Sequence, residues 1–208
     1  MKLRTLAIAF AALAGACAAT SLKSSWKSPQ YHGGPVGDIA VVAIDPRGLV
    51  RQGFENRFVR QFGEQQQKAF VTFSLLPLEE INADKAAAAA KLKGAGADSV
   101  LIIRLLDSAT YASEVQLRNT RFGPGTQGVQ GFGWYDYFTS SWRATGAIYG
   151  TQKSDVFLEI DLFDLDTEKL VWSGITMTVV KEGVDRVELI DPLIRKVLAA
   201  MRADGVIH

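Results

Sequence analysis

The sequence predicts an α/β domain built on a mixed sheet of about five to six strands. In the first half of the chain, three apolar runs rich in β-branched residues alternate with two segments of helical periodicity. In the second half, two apolar runs are separated only by a polar turn. Strand–helix alternation is typical of parallel crossover units, and two strands joined by a short turn form a hairpin. We therefore expect an N-terminal βαβαβ half, an antiparallel hairpin and a C-terminal helix.

The first crossover unit is predicted between residues 39 and 74. Ile39–Ile44 is a continuous apolar run, which suits a central strand, and a turn follows at residues 45–48. The next segment has an apolar stripe that repeats every fourth residue, made by Val50, Phe54, Phe58 and Phe62. We expect this stripe to pack on the sheet and the charged residues Arg51, Glu55, Arg57 and Arg60 to occupy the other faces of the helix. Ala69–Ser74 is the second predicted strand.

The second crossover unit contains an alanine-rich helix, Ala83–Lys93. Asn82 is placed to cap its N-terminus, and Gly94 and Gly96 are placed to end it. Val100–Leu106 is the third predicted strand. The hairpin follows at residues 156–165 and 170–180, with Val156, Leu158, Ile160 and Leu162 on its buried face and Glu159 and Asp161 on the opposite one. Apolar residues at helical spacing between Val187 and Met201 predict the closing helix.

The N-terminus has the layout of a secretory signal. Lys2 and Arg4 precede an apolar stretch, Leu6–Leu13, which is too short to span a bilayer. The small residues Ala14-Gly15-Ala16 and the only cysteine, Cys17, follow. This order resembles a bacterial lipobox, although Ala14 stands where leucine is usual. We predict a signal peptide at residues 1–16 and acylation of Cys17; the alternative is ordinary cleavage that leaves a soluble periplasmic protein.

Residues 17–36 are predicted to be a lipidated tether, and residues 37–208 a single domain. The tether is rich in Ser, Lys, Gly and Pro, so it would reach roughly 25 Å as a flexible chain. The chain has 23 basic and 22 acidic side chains, and removal of Lys2 and Arg4 leaves it near neutral. Because a nucleic-acid-binding protein would carry a basic excess, we expect no nucleic-acid partner.

An excursion at residues 119–152 is glycine-rich at first and then aromatic. A long insertion of this kind is usually functional, and aromatic side chains are enriched at protein interfaces. The candidate partner-binding residues are Phe132, Trp134, Tyr135, Tyr137, Phe138 and Trp142. Two alternatives remain open. Either the excursion is ordered and covers the sheet, with the aromatics filling a small core of its own, or it is a membrane element in which Trp142, Ala144, Gly146 and Ile148 alternate.

No catalytic constellation is evident. Gly123, Gly125 and Gly128 have dinucleotide-binding spacing, but no apolar strand leads into them. Four acidic residues crowd the hairpin (Asp161, Asp164, Asp166 and Glu168), without the spacing of a calcium loop. His32 lies in the predicted tether and His208 is the last residue, so neither is placed for a metal site or a catalytic triad. We therefore predict no enzymatic activity, no cofactor and no metal site.

The lipobox, the opening strand at residues 39–42, the hairpin sequence at 166–174 and the C-terminal run at 198–207 together resemble a broad group of Gram-negative lipoproteins. Their domain is similar to the anticodon-binding-like α/β module of the curli-secretion and penicillin-binding-protein-activator lipoproteins. The resemblance implies the same fold over residues 37–208 and carries over no functional residue. The short tether differs from that of the activators, and a curli-type channel would need two membrane hairpins per subunit.

These observations favour a binding or scaffold protein anchored through Cys17 at the periplasmic face of the outer membrane, with another envelope protein as its partner. Ala18 follows the cysteine, whereas a following Asp is the familiar inner-membrane retention signal. The alternative function is an oligomeric outer-membrane secretion or transport component that uses residues 119–152 in the membrane. The sequence leaves the oligomeric state open.

Overall fold

The structure is a computed structural model that describes residues 20–106, 111–112, 133–145, 155–180 and 186–208. The strands in this part of the chain are β1 (Thr20–Lys27), β2 (Ile39–Ile44), β3 (Ala69–Val71), β4 (Ser99–Leu106), β5 (Asp155–Asp164) and β6 (Leu170–Val179). The helices are α1 (Gly48–Glu64), α2 (Leu78–Ala83), α3 (Lys85–Gly94), α4 (Trp134–Thr145) and α5 (Ile190–Ala203), and a 3₁₀ turn at Arg186–Leu189 precedes α5.

The six described strands form one mixed sheet in the order β1-β6-β5-β4-β2-β3. β2 pairs in parallel with both β3 and β4, whereas β4, β5, β6 and β1 pair antiparallel in turn. The predicted α/β class, the mixed sheet, the crossover half, the hairpin and the C-terminal helix are confirmed.

Helices cover both faces of the sheet. On one face α1 and α5 bury a core that includes Phe58, Phe62, Ile160, Trp172 and Met201. On the other face α2, α3 and α4 bury a second core that includes Val42, Ile102, Leu92 and Phe138. The continuous apolar run of β2 is explained by this arrangement, because a central parallel strand contacts both layers and has no solvated side.

The predicted tether is wrong for residues 20–27, which form the edge strand β1. β1 pairs with β6 from Thr20 opposite Thr178 to Lys27 opposite Trp172, with an irregularity between Leu22 and Ser24. The sequence does not show the strand because its buried contacts are partly polar: the hydroxyl groups of Thr20 and Thr178 lie 3.0 Å apart in a hydrogen bond. The irregularity and the exposed Lys23 are features that protect an edge strand from pairing with other chains.

The residues that follow β1 also belong to the domain. Tyr31 packs against the first core, and its hydroxyl donates to the Gly34 carbonyl at 2.8 Å. Val36 is buried, and its N–H donates to the Val206 carbonyl at 2.9 Å. The domain therefore begins at or before Thr20 rather than at residue 37.

Two element boundaries differ from the predictions. Asp84, not Asn82, caps α3, because Asn82 lies inside the separate helix α2 and the Asp84 Oδ1 accepts the Ala87 N–H at 3.0 Å. α3 ends at Gly94, and Gly96 has φ +94°. β3 stops at Val71 rather than Ser74, because the Thr72 N–H donates to Glu55 and the Thr72 carbonyl accepts from Leu75 and Leu76 in a turn.

Candidate functional site

Helix α4 contains five of the six candidate partner-binding residues. Trp134 and Phe138, one helical turn apart, have 1% and 0% of their surface exposed and lie in the second core. Tyr135, Tyr137 and Trp142 are half-buried and pack against the same core. The described part of the excursion therefore covers the sheet, as one of the alternatives held, but its aromatic side chains join the second core of the domain and do not form a core of their own. Partner contact through the Trp134 and Phe138 side chains is incompatible with these positions, and Phe132 lies outside the described residues.

The exposed side of α4 is polar. Asp136, Ser140 and Arg143 are exposed and follow one another at helical spacing along the helix. The opposite, apolar side of α4 contacts α2, β2 and β4. The polar side is therefore the one that faces solvent. Interfaces are enriched in aromatic side chains, which is why the aromatic side is the predicted one, but aromatic residues also serve to bury a helix.

A buried polar cluster lies between α4 and the sheet. The Arg104 guanidinium on β4 contacts the Glu159 carboxylate on β5 at 2.5 Å, and its Nε donates to the Tyr137 hydroxyl at 2.8 Å. The Tyr137 hydroxyl in turn donates to Glu159 Oε2 at 2.8 Å. Arg104 also lies 5.2 Å from the centre of the Tyr137 ring, a cation–π distance. The cluster joins α4 to two strands.

Burial of the Tyr137 hydroxyl raises its pKa well above the ordinary value. The Arg104 charge opposes this shift, and the negative charges of Asp161 and Glu159 add to it. Tyr137 therefore stays protonated and keeps donating to Glu159.

The prediction that Glu159 and Asp161 face away from the buried side is correct only in part. They do lie on the sheet face opposite Leu158, Ile160 and Leu162, but each is only 3% exposed because a second helical layer covers that face. Asp161 accepts a short hydrogen bond from the Ser173 hydroxyl on the paired strand β6. Both carboxylates are therefore internal partners of other side chains.

The remaining acidic residues stabilise the β5–β6 turn. Asp164 Oδ1 accepts the N–H groups of Asp166 and Thr167 at 3.1 and 2.7 Å. Lys93 contacts Asp166 at 2.8 Å, and Lys85 contacts Glu168 at 2.5 Å. Within the described ranges, no three His, Cys, Asp or Glu side chains are grouped to hold a metal ion.

A second buried ion pair was missed by the sequence reasoning. Arg51 and Glu55, expected on the faces of α1 away from its apolar stripe, are 5% and 0% exposed. Arg51 Nε donates to Glu55 Oε1 at 2.7 Å, and Glu55 Oε2 accepts the N–H groups of Thr72 and Phe73 at 2.7 and 2.8 Å. The one sequence signal for this ion pair is that Arg51 and Glu55 are four residues apart, a spacing that brings opposite charges together on a helix. The pair also follows closely after the buried strand β2.

The predicted lipidation residue, Cys17, lies outside the described residues. It is three positions before Thr20, the first residue of β1. Along the described parts of the chain, no helix has the length and apolar character needed to cross a membrane. The predicted signal peptide at residues 1–16 also lies outside the described ranges.

The fold is a three-layer α/β domain, and the charged side chains of its two buried clusters are paired with each other. No protein-family model matches the chain, and no curated protein does so. Among solved structures, the PelC dodecamer from Paraburkholderia phytofirmans is similar with a TM-score of 0.47 and 11% identity, over 91% of this chain and 100% of that one.

Two further structures have a comparable likeness. A single-substitution variant of the same PelC has a TM-score of 0.46 and 12% identity, over 90% of this chain and 99% of that one. The lipoprotein GNA1162 from Neisseria meningitidis has a TM-score of 0.41 and 15% identity, over 80% and 99%. At these values the likenesses support no conclusion on the function of this chain. The resemblance to the curli-secretion and activator lipoproteins stays a prediction.

Proposed function

We propose that this protein is a lipid-anchored envelope protein that binds or scaffolds another envelope component at the periplasmic face of the outer membrane, without catalysis. The observation that carries the proposal is the order of a basic start, an apolar stretch, Ala14-Gly15-Ala16 and Cys17 directly before a folded domain. Several acyl chains on one cysteine hold a protein on a membrane, because each buried methylene contributes about 0.8 kcal/mol.

The proposal of a non-catalytic role is supported by the hydrogen bonds and ion pairs that hold the buried carboxylates. Glu55 has Arg51 and two backbone N–H groups as partners, and Glu159 has Arg104 and Tyr137. Carboxylates held in this way act as structural acceptors, whereas a general acid or base must reach a substrate.

The anchor is tested by intact mass and membrane fractionation of the expressed protein beside Cys17→Ser. We expect the wild type to carry the mass of the acyl groups and to sediment with the outer membrane, and Cys17→Ser to be released in soluble form. If both proteins are soluble and cleaved after Ala16, the anchor is wrong and a freely diffusing periplasmic protein replaces it.

The scaffold role is tested on the exposed side of α4. A photo-crosslinking amino acid placed at Ser140 is expected to give a discrete adduct with one envelope protein in intact cells. The same group at Glu64, which is exposed at the end of α1, is the matched control and should not give that adduct. Equal labelling from both positions would contradict a partner site on α4.

A further inference from the structure

Thr20, the first described residue, and the ends of several strands lie together at one end of the sheet, which we call the anchor end. Thr20 lies opposite Thr178 near the end of β6, and Thr178 lies opposite Val156 at the start of β5. Leu106 at the end of β4 lies opposite Phe157, and the end of β2 runs parallel to β4. Because α1 follows β2 after a short turn, its first residues are also at this end.

The distance from Cys17 to the anchor end is short. Thr20 is three positions after Cys17, and three residue steps span at most about 11 Å when fully extended. Thr20 itself is held in the domain, since its carbonyl accepts from Lys196 Nζ at 2.5 Å and its hydroxyl contacts Thr178 at 3.0 Å. A lipid on Cys17 would therefore hold Thr20, and with it the anchor end, within about 11 Å of the membrane surface.

The anchor end also presents an apolar side chain to solvent. Leu49 in the first turn of α1 is 85% exposed, and it is the one large hydrophobic residue found exposed within the described ranges. No acidic residue lies in that turn. The nearby Asp45 carboxylate is neutralised by Arg47, whose Nε and Nη2 donate to it at 3.0 and 2.8 Å. An apolar group beside a neutralised carboxylate and an exposed arginine stem suits a phospholipid interface.

We propose that the anchor end is a membrane-contact surface, on which Leu49 enters the headgroup region of the bilayer while the β5–β6 turn and the end of α1 point away. The inference rests on the proposed acylation of Cys17. It goes beyond acylation because a lipid on a flexible tether of about 25 Å would leave the domain free to rotate, whereas the short link to Thr20 orients it. The occupant of the surface is phospholipid, not a protein.

The experiment uses the acylated protein in phospholipid vesicles, with Leu49→Cys and Glu64→Cys as matched variants. The two positions lie at opposite ends of α1, about 22 Å apart along the helix. Both are exposed, so neither substitution is expected to disturb folding. Because acylation consumes the Cys17 thiol, the introduced cysteine is the only one that a fluorophore can label.

We expect nitroxide-labelled lipids in the vesicles to remove most of the fluorescence at position 49 and little at position 64. Equal quenching at both positions, or stronger quenching at 64, overturns the membrane-contact surface. A Gly/Ser spacer of a dozen residues between Ala19 and Thr20 should abolish the difference. If the mass of the protein shows no acyl groups, the proposed anchor itself has failed, which is distinguishable from an acylated protein with the wrong orientation.

Discussion

At the scale of single residues, the buried charges are held by complete sets of partners. Glu55 accepts from Arg51, from the Ala43 N–H at 3.2 Å and from the N–H groups of Thr72 and Phe73. Arg51 also donates to Thr72 Oγ1 and to the Leu76 carbonyl, both at 3.0 Å. A buried ion pair contributes little net stability compared with apolar residues, but loss of one member leaves a costly unpaired charge.

Glu55→Gln should therefore destabilise the protein by about 3–5 kcal/mol, because Arg51 keeps its charge and an amide N–H₂ replaces an acceptor of backbone N–H groups. The measurement is urea unfolding of the chain from residue 17 onward, carrying Cys17→Ser. Glu64→Gln on the same helix, where the side chain is 64% exposed, is the control and should change stability by less than about 0.5 kcal/mol. Similar losses in both variants would refute the role of the cluster.

Tyr137 gives a pH dependence with a defined sign. Its pKa is raised in the folded state, first by burial of the hydroxyl. In the unfolded chain a tyrosine ionises near pH 10, so above about pH 10 the unfolded state binds fewer protons and stability falls as the pH rises. Tyr137→Phe should reduce this alkaline slope by up to about 1.4 kcal/mol per pH unit.

Urea unfolding between pH 8 and 11 measures the effect on the alkaline slope. Tyr31, whose pKa is raised by burial and by the Asp164 charge, acts in the same direction, so a smaller slope remains in the variant. An unchanged slope in Tyr137→Phe would show that its hydroxyl titrates normally.

At the scale of elements, the pattern of apolar residues predicts most of the helices and strands. β2, β4 and the hairpin strands were found because their buried residues are apolar, and α1 because its phenylalanines share one face. β1 was missed because its pairing with β6 relies on Thr and Ser. Composition alone cannot show whether Trp134 and Phe138 face a core or a partner, since this depends on which surface lies under α4.

Two glycines in regular elements should respond to alanine with opposite signs. A Cβ at Gly174 on β6 would lie 2.3 Å from Cη2 of the fully buried Trp172, whose Nε1 donates to Asp204 at 2.7 Å. Gly174→Ala should therefore cost about 1–3 kcal/mol through overpacking. Gly53 inside α1 has nothing within 4 Å of a Cβ, so Gly53→Ala should gain up to about 1 kcal/mol.

Thermal unfolding of the two glycine variants checks both signs. A stable Gly174→Ala protein would mean that Trp172 has another rotamer available. A destabilised Gly53→Ala protein would mean that α1 lies closer to its neighbours than the structure shows.

At the scale of the whole molecule, the sheet and its cores are completed by two segments that the sequence predicts to lie outside the core. Residues 20–36 appear as a linker and residues 134–145 as part of an insertion, yet both contribute to the sheet or to its cores. Deleting residues 119–152 would therefore remove core residues rather than a detachable surface, so partner binding has to be tested by point changes on α4.

Removal of β1 should be costly. A chain that begins at Ser28 loses the pairing of Thr20–Lys27 with β6, where each hydrogen bond contributes about 0.5–1.5 kcal/mol, and leaves β6 as an open edge. We expect a loss of several kcal/mol in urea unfolding and aggregation on heating. A chain that begins at Thr20 is the control and should match the longer protein. Equal stability of the two truncations would restore the tether interpretation.

If the proposed signal peptide directs export, the pairing of β1 with β6 has a consequence for the order of events. Thr20 and its partner Thr178 are 158 residues apart, so a chain that crosses a membrane N-terminus first presents Cys17 and the β1 sequence long before β6 arrives. Contacts between such distant residues form late in folding. β1 is therefore expected to be among the last strands of the sheet to pair, so the proposed cleavage and acylation at Cys17 can precede its pairing.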